Sequence, residues 1–167
     1  VANQSHGLGI LVEGAKHGTI RNVRLARFKV GILARRVEGL VIENCDVSNN
    51  WRMRLFSTPE REYEADWLWP HENDADEWLR YGAGIWVSAC PGARIAGNRS
   101  RHGQNGIILS RVDGAVVVDN DMSFQSGWGI ALWRSSRNDI SNNRIDRCIR
   151  RSSHKVYHHG QDSAPIL

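Results

Sequence analysis

The chain has 167 residues, of which 41% are hydrophobic and 24% charged, with a formal net charge of +4. That is material for one ordinary domain, and the balance excludes wholesale disorder and leaves no apolar run long enough for a transmembrane helix. Three cysteines, Cys45, Cys90 and Cys148, are too few and too scattered for a disulfide framework, and no CxxC pair occurs.

In chain order, a Gly followed by Ile and short apolar residues recurs. It appears as Gly9-Ile10-Leu11-Val12, Gly31-Ile32-Leu33-Ala34, Gly84-Ile85-Trp86-Val87, Gly106-Ile107-Ile108-Leu109 and Gly129-Ile130-Ala131-Leu132. A sixth start, Pro165-Ile166-Leu167, substitutes Pro for Gly. The spacings are 22, 53, 22, 23 and 36, which read as a 22-residue repeat carrying two insertions. Eleven residues after each Gly stands a β-branched residue: Ile20, Ile42, Ile95, Val117, Ile140. Three further on come Val23, Cys45, Asn98, Asn120 and Asn143.

Each unit holds short strand-like pieces separated by Gly, Asn, Asp and Ser, and none carries a sustained 3.6-residue apolar period. One unit fits one turn of a parallel β-helix, with successive turns about 4.8 Å apart. Ile10, Ile32, Ile85, Ile107, Ile130 and Ile166 are predicted to stack in the interior, with Val12, Ala34, Val87, Leu109 and Leu132 beside them. Asn98, Asn120 and Asn143 are predicted to form an internal amide ladder, replaced by apolar residues at Cys45 and Val23. The fold expected is all-β: residues 1–167 as a single parallel β-helix domain of about five turns, interrupted at about 54–83 and 148–164.

The Gly-Ile starts, the 22-residue turns and the Asn ladder resemble the right-handed parallel β-helix superfamily of pectate lyases. They look most like the bacterial right-handed β-helix repeat proteins, which include the periplasmic β-helix proteins of nitrous-oxide reductase maturation. Two stretches, Ser126-Gly127-Trp128-Gly129-Ile130-Ala131-Leu132-Trp133-Arg134-Ser135-Ser136 and Gly160-Gln161-Asp162-Ser163-Ala164, look especially familiar. The resemblance implies an extracellular or periplasmic location and an extended sugar polymer in a groove along the first-strand face.

Alternation along the first strand turns the third position (Leu11, Leu33, Trp86, Ile108, Ala131) and the fifth (Glu13, Arg35, Ser88, Ser110, Trp133) outward. Both insertions fall just before a first strand, so they are expected to wall one side of that face and to touch each other. From Arg54 to Ala83, eight acids face three arginines; the second insertion carries Arg150, Arg151, His154, Lys155, His158 and His159. This opposition could draw the two loops together, or the cationic loop could neutralise a uronic acid while a base takes its C5 proton.

Candidate catalytic residues are His102 on the loop wall, Glu72 and Asp74 as paired carboxylates for glycoside chemistry, and His158 with Asp162 in the second insertion. Candidate substrate contacts are Trp86, Trp128, Trp133, Gln104, Arg111 and Arg134. Against each stands a bland reading: packing for the tryptophans, solvation for the acids, and a structural role for His102. No metal site is assigned. The oxygen-rich run Pro70–Glu77 could hold Ca²⁺, which takes about six to eight oxygens, or it could be an acidic helix start. Copper delivery is poorly supported, with two methionines and no Met-His cluster.

The leading expectation is therefore a protein that binds, and cleaves or epimerises, an acidic polysaccharide or oligosaccharide. The alternative is a non-catalytic β-helix binding or scaffold domain of the periplasmic maturation type. Neither nucleic acid nor membrane insertion is expected. Because terminal solenoid turns need covering, further β-helix turns or another chain are expected over both ends, with these residues part of a longer unit.

Overall fold

The computed structural model describes residues 7–51, 82–148 and 164–166. Strands β1 (Leu8–Glu13), β3 (Val30–Arg35), β5 (Ala83–Ser88), β7 (Ile107–Ser110), β9 (Trp128–Trp133) and β11 (Ala164–Ile166) form one parallel sheet in that order. Strands β2 (Gly18–Arg21), β4 (Leu40–Glu43), β6 (Arg94–Ala96), β8 (Val116–Val118) and β10 (Asp139–Ser141) form the second, also parallel. Single bridges Arg24–Asp46–Arg99–Asp121–Arg144 make a third, minimal side. The result is the expected right-handed parallel β-helix of about five turns, and no helix occurs among the described residues.

Register follows the repeat. Ile10 pairs with Ile32, Ile32 with Ile85, Ile85 with Ile107, Ile107 with Ile130, and Ile130 with Ile166. Ile32, Ile85, Ile107 and Ile130 are fully buried and share one core with Ile42, Ile95, Val117 and Met122. The Gly that precedes Ile in five of the six first strands answers to close approach. A Cβ on Gly31 would sit 2.6 Å from the carbonyl oxygen of Gly84 in the next turn, inside any tolerable contact.

The corners repeat as well. Arg27, Asn49, His102, Phe124 and Arg147 occupy equivalent positions, and all have positive φ, from +52° to +70°. Asn22, Asn44, Gly97, Asp119 and Asn142 do the same at another corner. A left-handed residue in every turn is what bends the strand toward the next sheet.

Inside, Asn98 and Asn120 carry the predicted amide ladder, and Asn143 ends it. Cys45 takes the same column one turn earlier. Its backbone N–H donates to Asn98 Oδ1 at 3.0 Å, and its thiol donates to the carbonyl of Glu43 at 3.2 Å.

Candidate functional site

The outer face of the first sheet is where ligand contact was expected. Third-position side chains do point away from the core, but they are not open to solvent. Trp86 is 3% exposed and joins Val30, Leu33, Ala83, Ile108, Trp128 and Ala131 in a second apolar cluster. The expectation of a wet, exposed row is corrected accordingly: Leu33, Trp86, Ile108 and Ala131 are buried and packed together, as side chains of a covered parallel-sheet face are. Only at the first turn does the row open, where Leu11 is 49% exposed.

Trp128, at the start of β9, is buried in this cluster, and its backbone N–H donates to Asn105 Oδ1 at 2.9 Å. Gln104 is 2% exposed, and its Oε1 accepts the Gly82 N–H at 2.7 Å. The Asn105 amide donates to the Gly82 carbonyl at 2.8 Å. Gln104 and Asn105 thus clamp the backbone where the chain re-enters the helix at Gly82. That arrangement satisfies buried peptide groups and leaves Gln104 turned inward.

Trp133 ends the fifth-position column, in register with Ser110, which pairs with Ser88 and so with Arg35. Its indole N–H is shielded from solvent without an acceptor, as is Nε of Arg35. The Arg134 guanidinium lies 5.7 Å from the Trp133 ring centroid. Arg111 and Arg134 are exposed at the same corner position of successive turns, and the Arg111 N–H bonds the Trp133 carbonyl at 2.8 Å.

His102 is exposed and stacks on Phe124 with ring centroids 5.2 Å apart and planes 21° apart. Its positive φ belongs to the corner column and is shared by Arg27, Asn49, Phe124 and Arg147. Beside it, Arg101 binds the Asp121 carboxylate through Nε at 2.8 Å and through its terminal nitrogen. Burial works against the charged form of Asp121, but hydrogen bonds from Arg101 and Ser123 outweigh it and hold its pKa below the usual value. Asp121 is therefore a fixed anion, unsuited to proton transfer near neutrality.

The remaining candidates, Glu72, Asp74, His158 and Asp162, lie outside the described residues, as do the Pro70–Glu77 run and the facing parts of the two insertions. Among the described residues no group of three His, Cys, Asp or Glu side chains comes together to hold a metal ion. Cys45, Cys90 and Cys148 sit buried at three different corners, and burial raises the pKa of each, that of Cys148 to about 11. Reactive or metal-binding thiols need the opposite environment.

Sequence reasoning missed the second interior set of amides. Asn50 Oδ1 accepts the Phe28 N–H at 3.0 Å, and Gln125 Oε1 accepts the Gly103 N–H at 3.0 Å. Its signal was a column reading Phe28, Asn50, Gly103, Gln125, Cys148, whose types vary too much to stand out. The Phe124 cluster was missed for a similar reason, since its members share a column but no chemistry.

No curated protein and no solved structure matches the chain at significance. A family model described as periplasmic copper-binding protein (NosD) matches residues 72–163, which is more than half of the chain. That description agrees with the expected periplasmic location, and no helix among the described residues is long and apolar enough to cross a membrane. With the parallel β-helix built from the same repeat, the match makes this chain a member of the NosD family.

Proposed function

We propose that this chain is a non-catalytic β-helix scaffold of the periplasmic maturation type, which binds partners through its solenoid faces. What carries the reading is the outer face of the first sheet. In pectate-lyase-like enzymes that face would hold substrate, and here Leu33, Trp86, Ile108 and Ala131 close it as an apolar cluster. Glycoside chemistry needs two titratable groups converging across a groove. Asp121, the carboxylate bound by Arg101, is held ionised on another side of the turn. Copper, named in the family description, finds no fitting donor set among the described residues, so no step is derived through it. The test is to incubate the purified chain with a panel of acidic and neutral polysaccharides. New reducing ends and unsaturated-product absorbance are then followed. No turnover is expected, and turnover of any one polymer overturns the scaffold reading.

One observation favours a second reading, in which a saccharide is bound. Trp133 follows Ser88 and Ser110 in register, its N–H lacks an acceptor, and Arg134 lies against its ring. A pyranose could stack on the partly exposed ring. Saccharide-dependent quenching of tryptophan fluorescence, abolished in Trp133→Ala, would establish this reading; equal quenching in both proteins would remove it.

A further inference from the structure

The corner that follows each first strand is a column of its own. Gly14, Arg36, Ala89, Arg111 and Arg134 occupy it in successive turns, all with positive φ, from +47° to +65°. Arg36 and Arg111 are exposed, and between them Ala89 sets a single methyl group where its neighbours carry guanidiniums. Beside this corner runs the fifth-position column, in which Arg35 pairs with Ser88 and Ser88 with Ser110.

Two groups in this column have unmet hydrogen-bonding capacity. Glu13 is in register with Arg35, but its carboxylate binds Arg36 instead. Arg35 is partly buried, its Nε is shielded from solvent, and it has neither an acceptor nor an ion pair among the described residues. Two residues back along each strand lie Leu33, Trp86 and Ile108 of the buried apolar cluster. A cation beside such a wall has lost part of its hydration and gained no counter-ion, and a bound anion would offset that cost. Ser110 is the second group. It is 2% exposed, yet its hydroxyl makes no hydrogen bond among the described residues, whereas the hydroxyls of the buried Ser48, Ser100, Ser123 and Ser126 all do.

We propose that Arg35, Ser88 and Ser110, with Arg111 at the adjoining corner, form a subsite for a tetrahedral oxyanion, a phosphate or sulfate group. The donor set selects that shape. A planar carboxylate is satisfied by the paired donors of one guanidinium. A tetrahedral group on Arg35 keeps further oxygens for the serine hydroxyls and for Arg111, whose strand lies two steps, about 10 Å, along the axis. The small Ala89 side chain leaves the approach between the two arginines open. The subsite is independent of the scaffold reading, and of saccharide stacking at Trp133, which stands three strands from Arg35.

The test uses the full chain, titrated with inorganic phosphate or sulfate at an ionic strength held constant with chloride, and read by the backbone amide NMR shifts of Ser88, Ala89 and Ser110. Saturable binding is expected. Arg35→Gln and Arg111→Gln should each weaken it roughly fivefold or more, and Ser88→Ala about twofold to threefold. Arg24→Gln removes the same charge from another side of the turn and is expected to alter affinity less than about twofold. Thermal melts of each variant separate lost binding from lost folding. Arg111 is exposed, so Arg111→Gln carries the test if Arg35→Gln melts early. The tighter of phosphate and sulfate identifies the headgroup, and either one supports the subsite. Shifts that do not saturate, an equal loss in Arg24→Gln, or unchanged affinity in the folded arginine variants would each overturn the proposal. So would acetate or galacturonate binding as tightly as both tetrahedral ions. Polysaccharide turnover with oxyanion binding intact would overturn only the scaffold reading.

Discussion

Asn98 places two donors on one oxygen of Asn120. Its backbone N–H and its side-chain Nδ2 reach Asn120 Oδ1 at 2.9 Å and 3.0 Å. Asn120 Nδ2 in turn donates to the Ile95 carbonyl at 2.9 Å and to Asn143 Oδ1 at 2.9 Å. Both Asn98 and Asn120 are buried, so no water stands ready to replace either partner. Asn120→Ala therefore leaves the buried Asn98 N–H unsatisfied and takes a second donor from the Ile95 carbonyl, and should cost about 2–3 kcal/mol in urea unfolding. Asn143→Ala should cost less, about 1 kcal/mol, because Asn143 is partly exposed and water can take its place. Equal losses at the two positions would show that the ladder's worth is not set by burial.

The isoleucine column supports a parallel comparison. Ile107 is fully buried between Ile85 and Ile130, whereas Ile10 is partly exposed in the first described turn. Ile107→Ala should destabilise by about 2–5 kcal/mol through the cavity it opens. Ile10→Ala should cost clearly less, since part of its surface already meets solvent. Chemical denaturation of the two variants checks the order, and a larger loss at Ile10 would contradict the position of the core.

The repeat was legible because stacking enforces sameness. Any side chain facing the interior sits on its counterpart one turn away, so Ile10 through Ile166 and Asn98 through Asn143 appear as columns in the sequence. The outward columns obey no such rule. Leu33, Trp86, Ile108 and Ala131 look like an exposed, ligand-ready row when alternation alone is applied, yet they are buried in one cluster. Alternation assigns a side chain to a face but says nothing of what lies above that face. Gln104 shows the same limit. Its place in a polar loop beside His102 suggested an open wall, but a glutamine can turn inward to clamp a backbone N–H, and Gly82 supplies one. The Phe124 cluster joins side chains from three turns with unlike chemistry, and only coordinates bring them together.

The three thiols give a kinetic prediction. Cys45, Cys90 and Cys148 are buried, and desolvation raises the pKa of each above the ordinary thiol value. Thiolate is the reacting form, so the native chain at pH 8 should be labelled by a disulfide reagent on the order of a thousandfold more slowly than the urea-unfolded chain. Ile107→Ala should speed labelling of Cys90, which shares its core, by the factor its lost stability implies. Rapid native labelling of Cys45 or Cys90 would mean that these corners open without unfolding.

Lys29 supplies the last prediction, one in pH. Its side chain is 5% exposed, its ammonium lies 3.7 Å from the centroid of the Trp51 ring, and burial lowers its pKa from 10.5 to about 8. The folded form thus gives up its proton earlier than the unfolded form. Between about pH 8 and 10.5 the unfolded chain holds the extra proton, so this residue's contribution to stability rises with pH across that window. Below pH 8 both states are protonated, and the cost of burying the ammonium is constant. The cysteines act oppositely near pH 9, because their folded pKa values are raised, so wild-type stability alone would mix the two effects. Subtraction of Lys29→Met, which keeps the length and apolar stem, isolates the lysine. The difference in unfolding free energy, wild type minus variant, should be flat from pH 6 to 7.5. It should then climb toward a slope of at most about 1.4 kcal/mol per pH unit between pH 8 and 10.5. A difference that stays flat to pH 10 would show that Lys29 keeps its proton in the folded chain, with the Trp51 ring stabilising the cation enough to cancel its desolvation.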